Sequence, residues 1–173
     1  MPDTLRLFGL VTDSIVDGPG FRTSVFTQGC PHDCPGCHNP ESHAMEAGTV
    51  WTLDDIEKKF SGNPLLSGIT LSGGEPFVQA EGCAELARRA HAKGLNVWTY
   101  SGFTYEKLLE KAMTEEGVAA LLKETDVLVD GPFRLAERSL DLEFRGSSNQ
   151  RLIDLNRTRA QGQMALYMTS EWL

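Results

Sequence analysis

Cysteine is scarce in this chain of 173 residues: there are four, and three of them fall within eight residues. Four cysteines so placed make no disulfide framework. A domain of this length buries roughly 70% of its unfolded surface and holds a core without staples. Cations are the minority, 16 Lys and Arg against 24 Asp and Glu, for a net charge of −8. Nucleic acid and anionic membranes both reward clustered cations, so neither is expected as the main partner. No run of 18 apolar residues occurs, and hence no transmembrane helix is predicted. The first residues, MPDTLRLFGLVTDS, carry Asp3 and Asp13 and no long apolar stretch, unlike a secretory signal. A cytoplasmic location, where thiols stay reduced, is the expectation. Internal repeats and low-complexity tracts are also missing. What is present, 40% hydrophobic and 23% charged residues, is ordinary soluble composition. The length predicts one domain, residues 1–173.

Strand and helix signals alternate along the chain. Phe21 to Thr27 (FRTSVFT) reads as a strand ending at Gly29 and the first cysteine. Thr52 to Phe60 reads as a short helix, with Thr52 as N-cap and Asp54 and Asp55 in its first turn. Gly68 to Ser72 is a buried-type strand running into Gly73-Gly74. Ala80 to Lys93 carries a helical apolar stripe that Gly94 terminates. Asn96 to Thr99 is the next strand, Tyr105 to Lys123 is helical with a break near Gly117, and Asp126 to Asp130 (DVLVD) is a further strand. Phe144 to Asp154 and Met164 to Met168 are expected to add two more strand segments. This alternation implies βαβ units and a parallel sheet. The fold class is α/β: an open, partial (β/α) barrel of about five to six mainly parallel strands, too short for the roughly 250 residues of a closed eight-fold barrel. Ligands in such sheets sit at the carboxyl ends of the strands. Gly29–Pro40, Gly73–Pro76, Ser101-Gly102 and Gly131-Pro132 all follow strands and should converge on one face.

Cys30-Pro31-His32-Asp33-Cys34-Pro35-Gly36-Cys37 has the spacing C-x3-C-x2-C. Three thiolates this close repel one another unless a cation lies between them. Packing as three unligated apolar side chains does not suit the intervening Pro, His, Asp and Gly. Two metal readings remain. Zinc would take the three cysteines plus His38 or His32 as a tetrahedral site, which would make the chain a zinc-binding interaction module. A 4Fe–4S cluster, normally held by four cysteines, would here be one ligand short and keep an open iron.

C-x3-C-x2-C resembles the hallmark of the radical S-adenosylmethionine superfamily. Cys34-Pro35-Gly36-Cys37-His38-Asn39 is similar to the corresponding run in the activating proteins of anaerobic ribonucleotide reductase, where Gly36 replaces the more usual aromatic residue. Four further segments agree in order: Val16-Asp17-Gly18-Pro19-Gly20-Phe21-Arg22 before the cysteines, Leu71-Ser72-Gly73-Gly74-Glu75-Pro76, Val127 to Phe133, and Phe144 to Arg151. Together they span most of the chain.

The resemblance implies a radical enzyme with two cofactors, a 4Fe–4S cluster on Cys30, Cys34 and Cys37 and S-adenosylmethionine (SAM) on its open iron. It implies reductive cleavage of SAM to a 5′-deoxyadenosyl radical, which takes a hydrogen atom from a glycine of the large subunit of anaerobic ribonucleotide reductase. The electron would come from a donor such as flavodoxin or ferredoxin. Another glycyl radical enzyme is the alternative target. Gly36, Cys37 and His38 would line the adenine site, with a simple loop turn as the alternative role of Gly36. Gly73, Gly74 and Glu75 would meet the methionine amine. Asp130, at the end of an apolar strand, would lie near the methionyl group and a monovalent cation, or else cap its loop. The second acid usual in related activases is replaced by Thr99 or Tyr100. Asp17 would flank the cleft that admits the partner's glycine loop.

No lysine follows Lys123, whereas six arginines lie between Arg134 and Arg159. Arginine suits bidentate carboxylate recognition, so Arg145, Arg151 and the neighbouring Asn149 are candidates for the SAM carboxylate or ribose, against pairing with local acids. Cys83, on the apolar face of its helix, reads as core rather than as a fourth ligand. Trp98 reads as core and His91 as a helix C-terminal residue.

Overall fold

The computed structural model describes residues 2–32, 34–37 and 40–168. Among the described residues there are seven strands: β1 (Thr4–Ser14), β2 (Phe21–Thr27), β3 (Thr49–Thr52), β4 (Leu66–Gly73), β5 (Asn96–Tyr100), β6 (Val127–Asp130) and β7 (Arg151–Asp154). They form one open sheet in the order β3-β1-β2-β4-β5-β6-β7. The central strands β2, β4, β5 and β6 are parallel, while β1 and β3 on one flank and β7 on the other are antiparallel. The α/β architecture is thus the expected open one, with seven strands rather than five or six. The extra strands are β1 and β3. Two register shifts, at Leu7/Gly9 and Val11/Ser14, break the period-two pattern of β1 and hide it in the sequence.

Five helices join the strands: α1 (Leu53–Lys58), α2 (Ala80–Ala92), α3 (Tyr105–Ala112), α4 (Glu116–Glu124) and α5 (Leu155–Gln161). Helix α1 starts where its cap predicts, the Thr52 hydroxyl accepting the Asp55 N–H at 3.1 Å. The break in the third helical region falls at Met113–Glu115, before Gly117. Gly117 lies inside α4, and a Cβ there would come 2.8 Å from the Glu81 side chain of α2, so its small size serves helix packing. The expected strand from Phe144 shrinks to β7, because Phe144 takes a positive φ of 64° and residues 146–150 turn around the Gln150 side chain. Around Met164–Met168 there is an isolated bridge between Ile153 and Leu166 and no strand.

Alternation along the strands decides what faces where. Val25, Leu71, Thr99, Leu128 and Ile153 are successive partners across the sheet. The apolar members of this row pack with Leu53 and Ile56 of α1, Leu86 and Ala87 of α2, Leu108 of α3 and Leu121 of α4. Each such buried aliphatic side chain stabilises by about 1.5–3 kcal/mol. The neighbouring row, Ser24, Thr70, Trp98 and Val127, faces the other way. There Trp98, Val127, Val129 and Leu152 form a smaller cluster with Tyr100, Phe144 and Tyr167. Among the described residues, no helix is long and apolar enough to cross a membrane.

Candidate metal centre and active site

The four loops that follow the parallel strands meet at one cavity of about 390 Å³, as their positions imply. Cys30, Gly73, Ser101 and Gly131 each contribute to its wall from a different loop. This volume lies within the roughly 300–1,000 Å³ of small-molecule sites.

Cysteine placement starts at the root of the loop. Gln28 is buried and donates to Glu41 O and Ala44 O, drawing the returning chain beside β2. Gly29 N–H then donates to Ser42 O (2.6 Å) and Cys30 N–H to His43 O (3.0 Å). From the β4 side, Gly74 N–H reaches Thr27 O and Glu75 N–H reaches Gly29 O, each at 2.7 Å. This close backbone approach is what the glycine pair permits. A Cβ on Gly73 would lie 2.5 Å from Thr27 N, and one on Gly74 would lie 2.3 Å from Gly29 O.

Cys30, Cys34 and Cys37 are partly exposed and line the cavity; Cys83 is wholly buried in the helix layer. Burial pushes the Cys30 thiol up to about 11, so without a cation it stays protonated. Among the described residues, no three His, Cys, Asp or Glu side chains are gathered closely enough to hold a single ion. Three soft thiols lining one cavity are the donor set of an iron–sulfur cluster one protein ligand short, and equally three of the four ligands of a structural zinc. The Nε2 of His32 is engaged by Glu75 at 2.6 Å.

A family model described as a 4Fe-4S single cluster domain matches residues 16–153. The anaerobic ribonucleoside-triphosphate reductase-activating protein of Vibrio cholerae is 33% identical over 144 residues, covering 79% of this chain and 89% of its own. The protein of the same name from Escherichia coli K12 is 33% identical over 145 residues, covering 79% and 90%. That of phage T4 is 30% identical over 145 residues, covering 79% and 86%. This chain belongs to the family of anaerobic ribonucleoside-triphosphate reductase-activating proteins.

Within this activating-protein scaffold, the residues singled out by sequence separate into two sets. Asp17, Gly73, Gly74 and Arg145 line the cavity with the three cysteines. The Asp17 carboxylate accepts from Ser14 Oγ (3.1 Å) and Ser24 Oγ (3.0 Å), and its carbonyl accepts from Thr70 Oγ1 (2.6 Å). His38 lies outside the described residues.

The other set is elsewhere. Glu75 was expected to meet SAM; its carboxylate is fully buried and accepts from His32, Ser101, Gly102 and Phe77 instead. Asp130 and Arg151 are directly paired across β6 and β7, on the same sheet face as Leu128 and Ile153, where the helices pack. Asp130 accepts from Arg151 Nε (3.0 Å) and from the Tyr105 N–H at the start of α3 (2.8 Å). It therefore caps and pairs, and strand alternation turns it from the cavity. Arg151 also reaches Glu106 at 2.7 Å, and its two acidic partners hold its guanidinium well above the usual range. Asn149 donates to Pro132 O (2.8 Å), tying the turn rather than lining the cavity. Gly36 stands at φ 75°, where a Cβ would lie 2.9 Å from Leu135 Cδ1; its turn and the packing of Leu135 account for it.

Sequence reasoning overlooked Arg22. Its guanidinium is fully buried beside the Trp98 ring (5.7 Å), and burial pushes it down to about 10. It donates to Thr70 Oγ1 (2.8 Å), Ile69 O (2.8 Å) and Pro19 O (3.1 Å), which fixes the Asp17–Gly20 turn under the cavity. Tyr100 was also unassigned. It lines the cavity, its hydroxyl donates to Phe144 O, and burial raises its phenol well above the usual range. The position of Arg22 inside the Val16–Arg22 segment was the available signal. Two of its three partners lie 47 and 48 residues away and left none.

Proposed function

We propose that this chain is a radical SAM activase that generates a glycyl radical on the large subunit of anaerobic ribonucleotide reductase. The observation that carries the reading is the meeting of three cysteine thiols in one cavity at the carboxyl ends of four parallel strands, in a chain of this family. Cys30, Cys34 and Cys37 would hold the 4Fe–4S cluster, leaving one iron for SAM. When bound and reduced, the cluster would supply the electron for reductive cleavage of the sulfur–C5′ bond of SAM, and the resulting 5′-deoxyadenosyl radical would take hydrogen from a glycine Cα.

The chain's own residues bind, orient and exclude water. Bare backbone at Gly73 and Gly74 lets a cofactor approach the end of β4 without a side chain between. The Arg145 guanidinium offers a planar charged fork to a carboxylate. Asp17, held by Ser14 and Ser24, presents a fixed acceptor at the cavity wall. The partly buried Tyr100 and Phe144 close the cavity on its aromatic side. A cytoplasmic flavodoxin or ferredoxin is the electron donor in this reading, because the reaction needs a strong reductant.

The test is an anaerobic mixture of this protein, SAM, a reductant and the reductase large subunit. A glycyl radical signal by electron paramagnetic resonance is expected, and Cys34→Ala should abolish it. SAM cleavage without a radical on the reductase would refute the target and keep the chemistry. One zinc and no acid-labile sulfide in anaerobically purified protein would refute both.

A further inference from the structure

We propose that His32, Glu75, Ser101 and Gly102 form a clamp that fixes the cysteine loop over the strand ends, so that Glu75 acts as a positioning residue for Cys30 and not as a cofactor contact. The inference rests on reading Cys30, Cys34 and Cys37 as cluster ligands.

Glu75 grips the chain on either side of Cys30. Its backbone N–H donates to Gly29 O (2.7 Å), just before the cysteine. Its carboxylate Oε1 accepts the ring N–H of His32 (2.6 Å), two residues after it. The carboxylate is itself pinned from β5, by Ser101 Oγ at 3.0 Å to both oxygens and by Gly102 N–H at 2.8 Å, while Phe77 N–H reaches Oε2 at 3.2 Å. Glu75 is 0% exposed and the His32 side chain 15%. A buried carboxylate with four donors has its acceptor sites taken, and pulling it out towards a cofactor would strand them.

Shape completes the clamp. The His32 ring meets Phe103 in a T-shaped contact at 4.5 Å and packs against residue 102. A Cβ on Gly102 would lie 2.4 Å from His32 Cδ2 and 2.7 Å from its Nε2. Glycine at 102 is therefore the seat of the ring. Cys30 is held between two fixed points, and the loop carrying Cys34 and Cys37 leaves from the second.

Two routes break the clamp, His32→Ala by deletion and Gly102→Ala by collision, and they should converge. In the metal-free protein, backbone amides of the loop from Cys30 to Cys37 should exchange hydrogen about tenfold faster or more in either variant, the order expected for loss of a hydrogen bond to a charged group. In His32→Ala, adding Gly102→Ala should change nothing further, because the collision partner is gone. In the reconstituted protein, both single variants should release iron to a chelator faster and shift the midpoint potential of the cluster. His32→Gln, which returns an N–H to Glu75, should restore most of both. Glu75→Gln, tested for SAM binding, should weaken it no more than it speeds iron release.

Unchanged exchange in His32→Ala, or additive effects in the double variant, would overturn the clamp. So would a Glu75→Gln protein with wild-type iron release and lost SAM affinity. Failure of the wild type to take up a cluster would instead refute the ligand reading, and the metal-free exchange comparison would still decide the clamp.

Discussion

The two faces of the central sheet solve different problems. The helix-covered face is filled by aliphatic side chains from β1, β2, β4, β5, β6 and β7 and from all five helices, with Cys83 sealed inside it. The opposite face holds a fully buried arginine, an aspartate braced by two serines, and an aromatic group around Trp98. On the first face the central polar group, Thr99, is paired with Thr125 at the end of α4 and joins sheet to helix. On the second face polar groups sit at its centre and shape the turn and the loop beneath the cavity. Stability and chemistry are thereby separated by one residue of strand register.

The largest test of that separation is Asp130→Ala. Loss of a 1%-exposed carboxylate leaves Arg151 and the α3 N-terminus without their acceptor. We expect destabilisation of about 2–3 kcal/mol by denaturant unfolding, discounted from the 3–5 of a wholly buried pair because Arg151 is partly exposed. SAM affinity of the reconstituted protein should stay within twofold; a tenfold loss would move Asp130 to the cavity side.

Arg22→Met probes the open face. It takes a donor from the buried Ile69 carbonyl and from the partly buried Pro19 carbonyl, at about 1–3 kcal/mol for a buried acceptor stranded. Unlike Asp130→Ala, it should also disturb Asp17 and weaken radical transfer to the partner at temperatures where the protein is still folded. Equal loss of stability with intact radical transfer would reduce Arg22 to a core residue.

Cys83→Ala returns to the helix face. Removing one buried sulfur should cost about 1 kcal/mol and leave about four irons per chain, whereas Cys34→Ala should leave stability of the metal-free protein nearly unchanged and lose the cluster. Iron loss in Cys83→Ala would erase the contrast.

The smallest effect belongs to His91, at the margin of the helix face between Asp126 (2.8 Å) and Glu124 (3.0 Å). Partial burial opposes its charge, but the hydrogen bonds to the two acids prevail and raise its pKa above 6.5. A raised pKa stabilises fully below the unfolded value, and that contribution is lost as pH rises through the folded one. Asp126 is lowered against its own burial by His91, Asn156 and the Val97 N–H, so its contribution is lost as pH falls through its folded pKa, below 3.8. The melting temperature of His91→Gln should fall below wild type near pH 6 and converge with it at pH 9. A gap that widens with pH would refute the pairing.

How much of this could be read along the chain follows from how far apart the partners lie. The cysteine spacing, the glycine pair after β4 and the Thr52 cap are local, and each can be read within a few residues. The convergence of four post-strand loops follows from parallel topology alone. Asp130 shows where local reading stops. Every residue of Val127–Asp130 is buried, so the apolar run does not reveal which alternate set faces the helices. Glu75 shows it again, since His32 lies 43 residues before it and Ser101 26 after. Strands β1 and β3 and helix α5 escaped notice because bulges, brevity and polar composition blur their periods.

The sequence by itself determined the chemistry the chain can support: three thiols too close together to ionise without a cation, on a loop that follows a strand, in a βα-alternating chain. Only the tertiary structure decided which of the remaining candidates face the cavity. A side chain's sheet face depends on the register of strands paired from distant segments. A buried carboxylate's role depends on which donors those segments bring to it. Neither is encoded within the span of any one motif.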